Sequence, residues 1–307
     1  MTHAPFAGVY TALCTPMRGG AVPVPPAVPV PVPAIDEAAL SALCEAQLRG
    51  GIAGLVACGT TGEAATMTPA EQARVIRVVV EAAGKRVPVL AGVGSPSTAH
   101  SLELAQAAIA QGADGLLAVT PYYNRPSQEG LFQHFAALCR LGHPIMLYNV
   151  PARTGCDLLP ETVARLCELP QIVALKEASG SVLRTQQLVR LLGDRLAIFS
   201  GEDALNYPLY CVGARGCVSV VSNVAPALTV AVWEAFAAGD YRRAQTTHER
   251  FLPLAELLFS EPNPIPAKAA LHLLGQLDSA LRLPLVPMTA AGQAKLRALL
   301  GALELLP

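Results

Sequence analysis

The fold class that the sequence predicts is α/β: a (β/α)8 TIM barrel with a C-terminal helical extension. Three observations predict it. Short runs rich in Val, Leu, Ile and Ala recur eight times, at 8–14, 54–59, 87–94, 115–121, 144–151, 172–179, 196–203 and 217–223. Each run is near-continuously apolar rather than alternating, as expected of strands covered on both faces and therefore parallel. The segments between them have the length and periodicity of ordinary helices, and eight strand–helix units close most naturally into a barrel.

The elements follow in order. The first strand is "GVYTALC" (8–14). After it comes "AVPVPPAVPVPVPA" (21–34), whose six prolines rule out a central strand or a helix. It reads as an extended, polyproline-like surface insertion between the first strand and the first helix, with docking of a proline-recognising partner as the alternative. Beyond the second strand, Thr68-Pro69-Ala70-Glu71 supplies an N-cap, a proline at the first helical position and a capping-box glutamate. Ser127-Gln128-Glu129 and Leu159-Pro160-Glu161 mark two further helix starts. After about residue 240 the strands stop, and "DYRRAQTTHERFLPLAELLF", "IPAKAALHLLG" and "TAAGQAKLRALLGALELL" read as helices. The expected organisation is a catalytic barrel over 1–240, carrying the proline-rich insert at 21–34, and a helical domain over 241–307.

Bulk properties narrow the function. Of 307 residues, 52% are hydrophobic and 15% charged, enough for a large core and against wholesale disorder. Lys and Arg number 22 against 23 Asp and Glu, with no basic run, so no nucleic-acid partner is expected. Gly, Pro or charge interrupts every apolar stretch before it could span a bilayer, so no membrane association is expected either. "MTHAPFAGVYTALCTPM" lacks the layout of a signal peptide, and the eight cysteines form no C-x-x-C pair. The expectation is a cytoplasmic protein whose cysteines are small buried residues rather than disulfides or zinc ligands.

In a parallel barrel, reactive groups gather at the C-terminal ends of the strands. Those ends read "CGTTGE" (58–63), "TPYYNRP" (120–126), "LYNVPARTG" (147–155), "LKEASG" (175–180), "FSGED" (199–203) and "SVVSN" (219–223). Lys176 stands out, because it closes an apolar run where a cation is costly to bury. Desolvation disfavours the charged form of an amine, and a neutral amine attacks carbonyls to form a Schiff base. Pairing with Glu177 is not expected, since neighbouring strand residues face opposite ways. The bland alternative is a lysine that reaches solvent.

Thr60 and Thr61, beside a glycine, offer hydroxyls and N–H groups that can hold a carboxylate, although Thr60 and Glu63 also fit a helix cap. Tyr148 is a candidate proton shuttle beside the lysine, or else a core tyrosine with a satisfied hydroxyl. Tyr122 and Tyr123 lie in a proline-flanked loop, which suggests an interface. The planar fork of Arg153 suits a second carboxylate. The six histidines show no metal-binding spacing, and no G-x-S-x-G, Walker A or G-x-G-x-x-G motif follows a strand. No metal and no nucleotide cofactor is therefore expected. Glycines near the last two strands leave pyridoxal phosphate as the one cofactor reading still open.

Together "GTTGE", "TPYYNRPSQEGL", "LYNVPARTGCDLLPET", "LKEASG" and "EPNPIPAK" resemble the 4-hydroxy-tetrahydrodipicolinate synthase (dihydrodipicolinate synthase) family, in the class I aldolase, N-acetylneuraminate lyase-like superfamily. The match runs in register from about Gly8 to the C-terminus, interrupted mainly by the proline insert. The resemblance implies a lyase that condenses pyruvate with L-aspartate 4-semialdehyde in lysine and diaminopimelate biosynthesis, without a cofactor. It implies Lys176 as the Schiff-base residue, Tyr148 as general acid/base, and Thr60 and Tyr123 as its proton-relay partners. It also implies Thr61 as the pyruvate-carboxylate contact, Arg153 as the semialdehyde-carboxylate contact and Val218 as an aliphatic pocket wall. A homotetramer, a dimer of dimers, is implied, with Tyr123 reaching into the neighbour's site. The rivals are a sibling pyruvate-dependent lyase, acting on N-acetylneuraminate or a keto-deoxy sugar acid, and a non-catalytic barrel that binds keto acids. "TT" and "PARTG" favour the synthase. One departure matters: the positions matching the family's lysine-inhibition site hold Pro96, His100, Pro69 and Gln72, with only Tyr122 left of the polar set, so feedback inhibition by lysine is expected to be weak or absent.

Overall fold

The computed structural model describes residues 6–19 and 32–306. The proline-rich stretch lies outside the described residues except for its last three positions. Among the described residues there are ten strands: β1 (Gly8–Ala12), β2 (Met17–Arg18), β3 (Ala34–Ile35), β4 (Gly54–Ala57), β5 (Val89–Gly92), β6 (Gly115–Val119), β7 (Ile145–Asn149), β8 (Ile172–Glu177), β9 (Ala197–Ser200) and β10 (Gly216–Ser219). Eight of them close a parallel barrel in the order β1-β10-β9-β8-β7-β6-β5-β4, while β2 and β3 form a short antiparallel ladder.

Pleating sorts the apolar residues into two cores. Tyr10, Val56, Leu90, Leu117, Met146, Tyr148, Phe199 and Val218 fill the barrel interior. Leu55, Val89, Leu116, Ile145, Leu147, Leu175 and Ile198 point outward against the helices. The strands end earlier than their apolar runs suggest. Val221–Asn223 and Asp203–Leu205 are single 3-10 turns rather than strand. Residues there stay apolar because the loops pack on the surrounding helices after the ladder has ended.

The capping box is present in full. Thr68 Oγ1 accepts from the Glu71 N–H at 3.3 Å, and the Glu71 carboxylate accepts from the Thr68 N–H at 2.9 Å, which starts the helix Pro69–Ala83. Beyond residue 240 come the helices Tyr241–Leu258, Ile265–Leu273 and Ala290–Ala302. They are tied to the barrel mouth by charge. Lys268 Nζ meets Glu63 Oε1 at 2.5 Å and donates to the Ala280 carbonyl at 2.7 Å. Arg282 pairs with Glu71 at 2.6 Å and donates to the Pro33 carbonyl at 2.9 Å. The Arg282 backbone N–H donates to Glu63 Oε2 at 3.2 Å.

Candidate functional site

The mouth at the C-terminal ends of the strands is where the backbone leaves ordinary conformations. Of the six non-glycine residues with positive φ among those described, Cys58, Glu63, Tyr123 and Arg125 lie in its loops. Such conformations cluster where surrounding structure over-determines them, commonly at functional sites. Gly92 shows how tightly the loops pass. A Cβ there would sit 2.1 Å from the Cys58 carbonyl oxygen, so only glycine lets the β4 loop cross β5.

Lys176 and Tyr148 are register partners on β8 and β7, and both point inward. Lys176 is 5% exposed, and its Nζ lies 4.2 Å from the centroid of the Tyr148 ring. No carboxylate among those described lies within ion-pair distance of it. Glu177 faces the other way, as alternation predicts. Its carboxylate accepts from the Ser179 N–H at 2.7 Å and from Asn149 Nδ2 at 3.2 Å. Burial raises the pKa of Glu177, and these donors partly oppose the rise. Asn149 also donates to Asp157 at 2.9 Å, and Asp157 pairs with Arg184, so the loop that carries Arg153 is braced from behind.

A cavity of about 460 Å³ opens at this mouth, lined by Thr60, Tyr148, Val150, Arg153 and Tyr122 among others. Lys176, Thr61 and Val218 are not on its wall. Lys176 sits beside Tyr148, Val218 faces the barrel interior from β10, and Thr61 is 2% exposed. Tyr123 is not gathered in, being 92% exposed on its loop. Gln72, His100, Ala64 and Ala65 line the same cavity.

Two residues absent from the candidate set hold the loop that carries Thr60 and Thr61. Asn263 Nδ2 donates to Thr61 Oγ1 at 3.0 Å, and Lys268 holds Glu63, two residues further on. Both belong to "EPNPIPAK". The signal in the sequence was a lysine inside an otherwise apolar helix and an asparagine set between prolines. Among the described residues no cluster of three His, Cys, Asp or Glu side chains is placed to hold a metal, and no helix is long and apolar enough to cross a membrane.

Fold and site together define a class: an α/β-barrel with a buried primary amine that has no carboxylate partner among the described residues, packed on a tyrosine ring that lines the cavity at the C-terminal ends of the strands. The chain matches the model of the dihydrodipicolinate synthetase family over residues 6–303 and belongs to that family. It is 50% identical to the 4-hydroxy-tetrahydrodipicolinate synthase of Sorangium cellulosum over 306 residues, covering 99% of this chain and 98% of that one. The solved synthase of Methylacidiphilum fumariolicum SolV is 42% identical, with a TM-score of 0.91 and coverage of 97% and 96%. The chloride-inhibited enzyme of Acinetobacter baumannii, solved in complex with pyruvate, is 39% identical, with a TM-score of 0.92 and coverage of 98% and 99%.

Proposed function

We propose that this chain is a lyase that condenses pyruvate with L-aspartate 4-semialdehyde to give 4-hydroxy-tetrahydrodipicolinate, in the cytoplasm and as a dimer of dimers. The observation that carries the reading is Lys176, an amine 5% exposed beside an aromatic ring with no carboxylate partner among the described residues. A primary amine held inside the barrel without an ion-pair partner is available as the nucleophile of covalent catalysis.

The amine attacks the keto carbon of pyruvate and water leaves, giving an iminium that draws electrons from the neighbouring methyl. Tyr148 gives its proton to the departing hydroxyl and takes one from that methyl in exchange, giving an enamine. Thr60 and the Tyr123 of an adjoining subunit relay protons to and from Tyr148. The enamine carbon bonds to the aldehyde carbon of the semialdehyde, the iminium re-forms, and the aldehyde oxygen takes a proton from Tyr148 to become the hydroxyl. The semialdehyde's own amine then displaces Lys176, which closes the ring and frees the enzyme. Two substrates bearing carboxylates need two anion contacts, for which Thr61 and Arg153 have suitable chemistry. Val218 walls the pocket. The high exposure of Tyr123 supports a role across an interface, because an exposed tyrosine on a fixed loop is available to a second copy. We take the helices beyond residue 240 as a separate domain that buttresses the mouth.

Borohydride reduction in the presence of pyruvate should leave a stable adduct on Lys176, seen by peptide mass spectrometry, and none in Lys176→Ala. Trapping at another residue, or turnover of sugar acids in preference to the semialdehyde, would overturn the reading.

A further inference from the structure

The contact between Asn263 and Thr61 joins residues 202 positions apart and has a direction. The amide Nδ2 donates, so Thr61 Oγ1 accepts. A hydroxyl whose oxygen is already engaged as acceptor keeps its own proton free to donate elsewhere. Thr61 makes no other side-chain hydrogen bond among the described residues. Asn263 is 8% exposed, and Thr61 is the one hydrogen-bond partner of its side-chain amide among the described residues. Its position is fixed from both sides. Asn263 immediately precedes Pro264, the cap of the helix Ile265–Leu273, and that helix carries Lys268, which grips Glu63 on the same loop as Thr61.

We infer that Asn263 is a positioning residue: it aims the Thr61 hydroxyl proton at the carboxylate of the keto-acid substrate. The C-terminal helices thus complete the keto-acid end of the site. This rests on the reading of Thr61 as the carboxylate contact.

Asn263→Asp is the informative change, since it keeps the shape and removes the donor. The new carboxylate can only accept, so the Thr61 proton turns towards it and is lost to the substrate. The pyruvate concentration giving half-maximal borohydride trapping should rise roughly 10- to 100-fold, the range for a lost hydrogen bond to a charged group. The KM for the semialdehyde should stay within about twofold, because Arg153 recognises that carboxylate independently. Protonation restores a donor at this position, so the excess over wild type should shrink as pH falls from about 8 to about 6, helped by burial that raises a carboxyl pKa. A purely structural asparagine would give no such recovery.

Asn263→Ala, followed by thermal melting, guards against misfolding of the charged variant, and a rise of about five- to tenfold with no pH recovery is expected. Thr61→Val separates the two layers of the argument. If Thr61→Val raises half-saturation but neither Asn263 variant does, or the Asp variant shows no pH recovery, the positioning role is overturned. If Thr61→Val itself changes nothing, the reading of Thr61 is what fails.

Discussion

Replacing Lys268 with methionine tests how the C-terminal helices are attached. The Lys268 side chain is fully buried and that of Glu63 is 1% exposed, at a separation of 2.5 Å. Methionine keeps most of the volume and deletes the charge. Among the described residues Glu63 is then left with the Arg282 backbone N–H at 3.2 Å as its one remaining donor, and the Ala280 carbonyl loses its 2.7 Å partner. Removing one member of a buried pair costs about 3–5 kcal/mol, because the other charge stays out of water unmatched. At roughly 2–4 °C per kcal/mol for a chain somewhat smaller than this one, the thermal midpoint should fall by about 10 °C. Glu63→Gln combined with Lys268→Met removes the stranded charge and should recover most of the loss. Urea denaturation of both variants beside wild type measures this. A loss below about 1 kcal/mol in the single variant, or a double variant no better than the single, would refute the argument.

Three further outcomes are expected. Gly201→Ala would place its Cβ 2.7 Å from Ala178 Cβ, 3.0 Å from the Glu177 carbonyl and 3.1 Å from Lys176 Cγ. Overpacking of this kind costs about 1–3 kcal/mol, and here it displaces the reacting lysine, so the rate of borohydride-trapped adduct should fall at least about tenfold; an unchanged rate would count against Lys176 as the trapped residue. Burial holds the His134 imidazole down at about 4, from an ordinary 6.5. The unfolded chain therefore binds the extra proton first, and this contribution to stability is complete above the ordinary value and lost as pH falls through that window. The urea midpoint of His134→Gln should vary less with pH there than that of wild type, and parallel profiles would contradict the assignment. Free lysine should inhibit weakly or not at all. Gln72 Nε2 is spent on the Ala64 and Met67 carbonyls, and His100 faces Glu103 at 3.2 Å. Half-inhibition at sub-millimolar lysine would refute this.

The barrel was legible because strands buried on both faces write themselves as unbroken apolar runs, and eight such runs leave few other closures. Their ends were not, since residues such as Val220 and Val221 remain apolar after the ladder stops. Lys176 was legible for a related reason: a cation closing a buried run needs an explanation, and strict alternation removes Glu177 as its partner. Lys268 looks similar in sequence, a single charge in "IPAKAALHLL", yet it is matched by Glu63, 205 residues away. No local pattern distinguishes a lysine that is paired across the fold from one left unpaired. Asn263 was hidden in the same way, because its significance lies in which atom it offers to Thr61.

The β2–β3 ladder has a consequence for how the chain tolerates change. Met17 and Arg18 pair with Ile35 and Ala34, Arg18 also pairs with Asp36, and Arg282 grips the Pro33 carbonyl. The two ends of the excursion between them are clasped together by contacts that do not depend on what it contains. Lengthening a loop closed at its neck costs only about 0.6 kcal/mol per doubling. An experimenter who grafts a short tag between Arg18 and Pro33 should therefore find the melting point of the enclosing architecture within a few degrees of the parent.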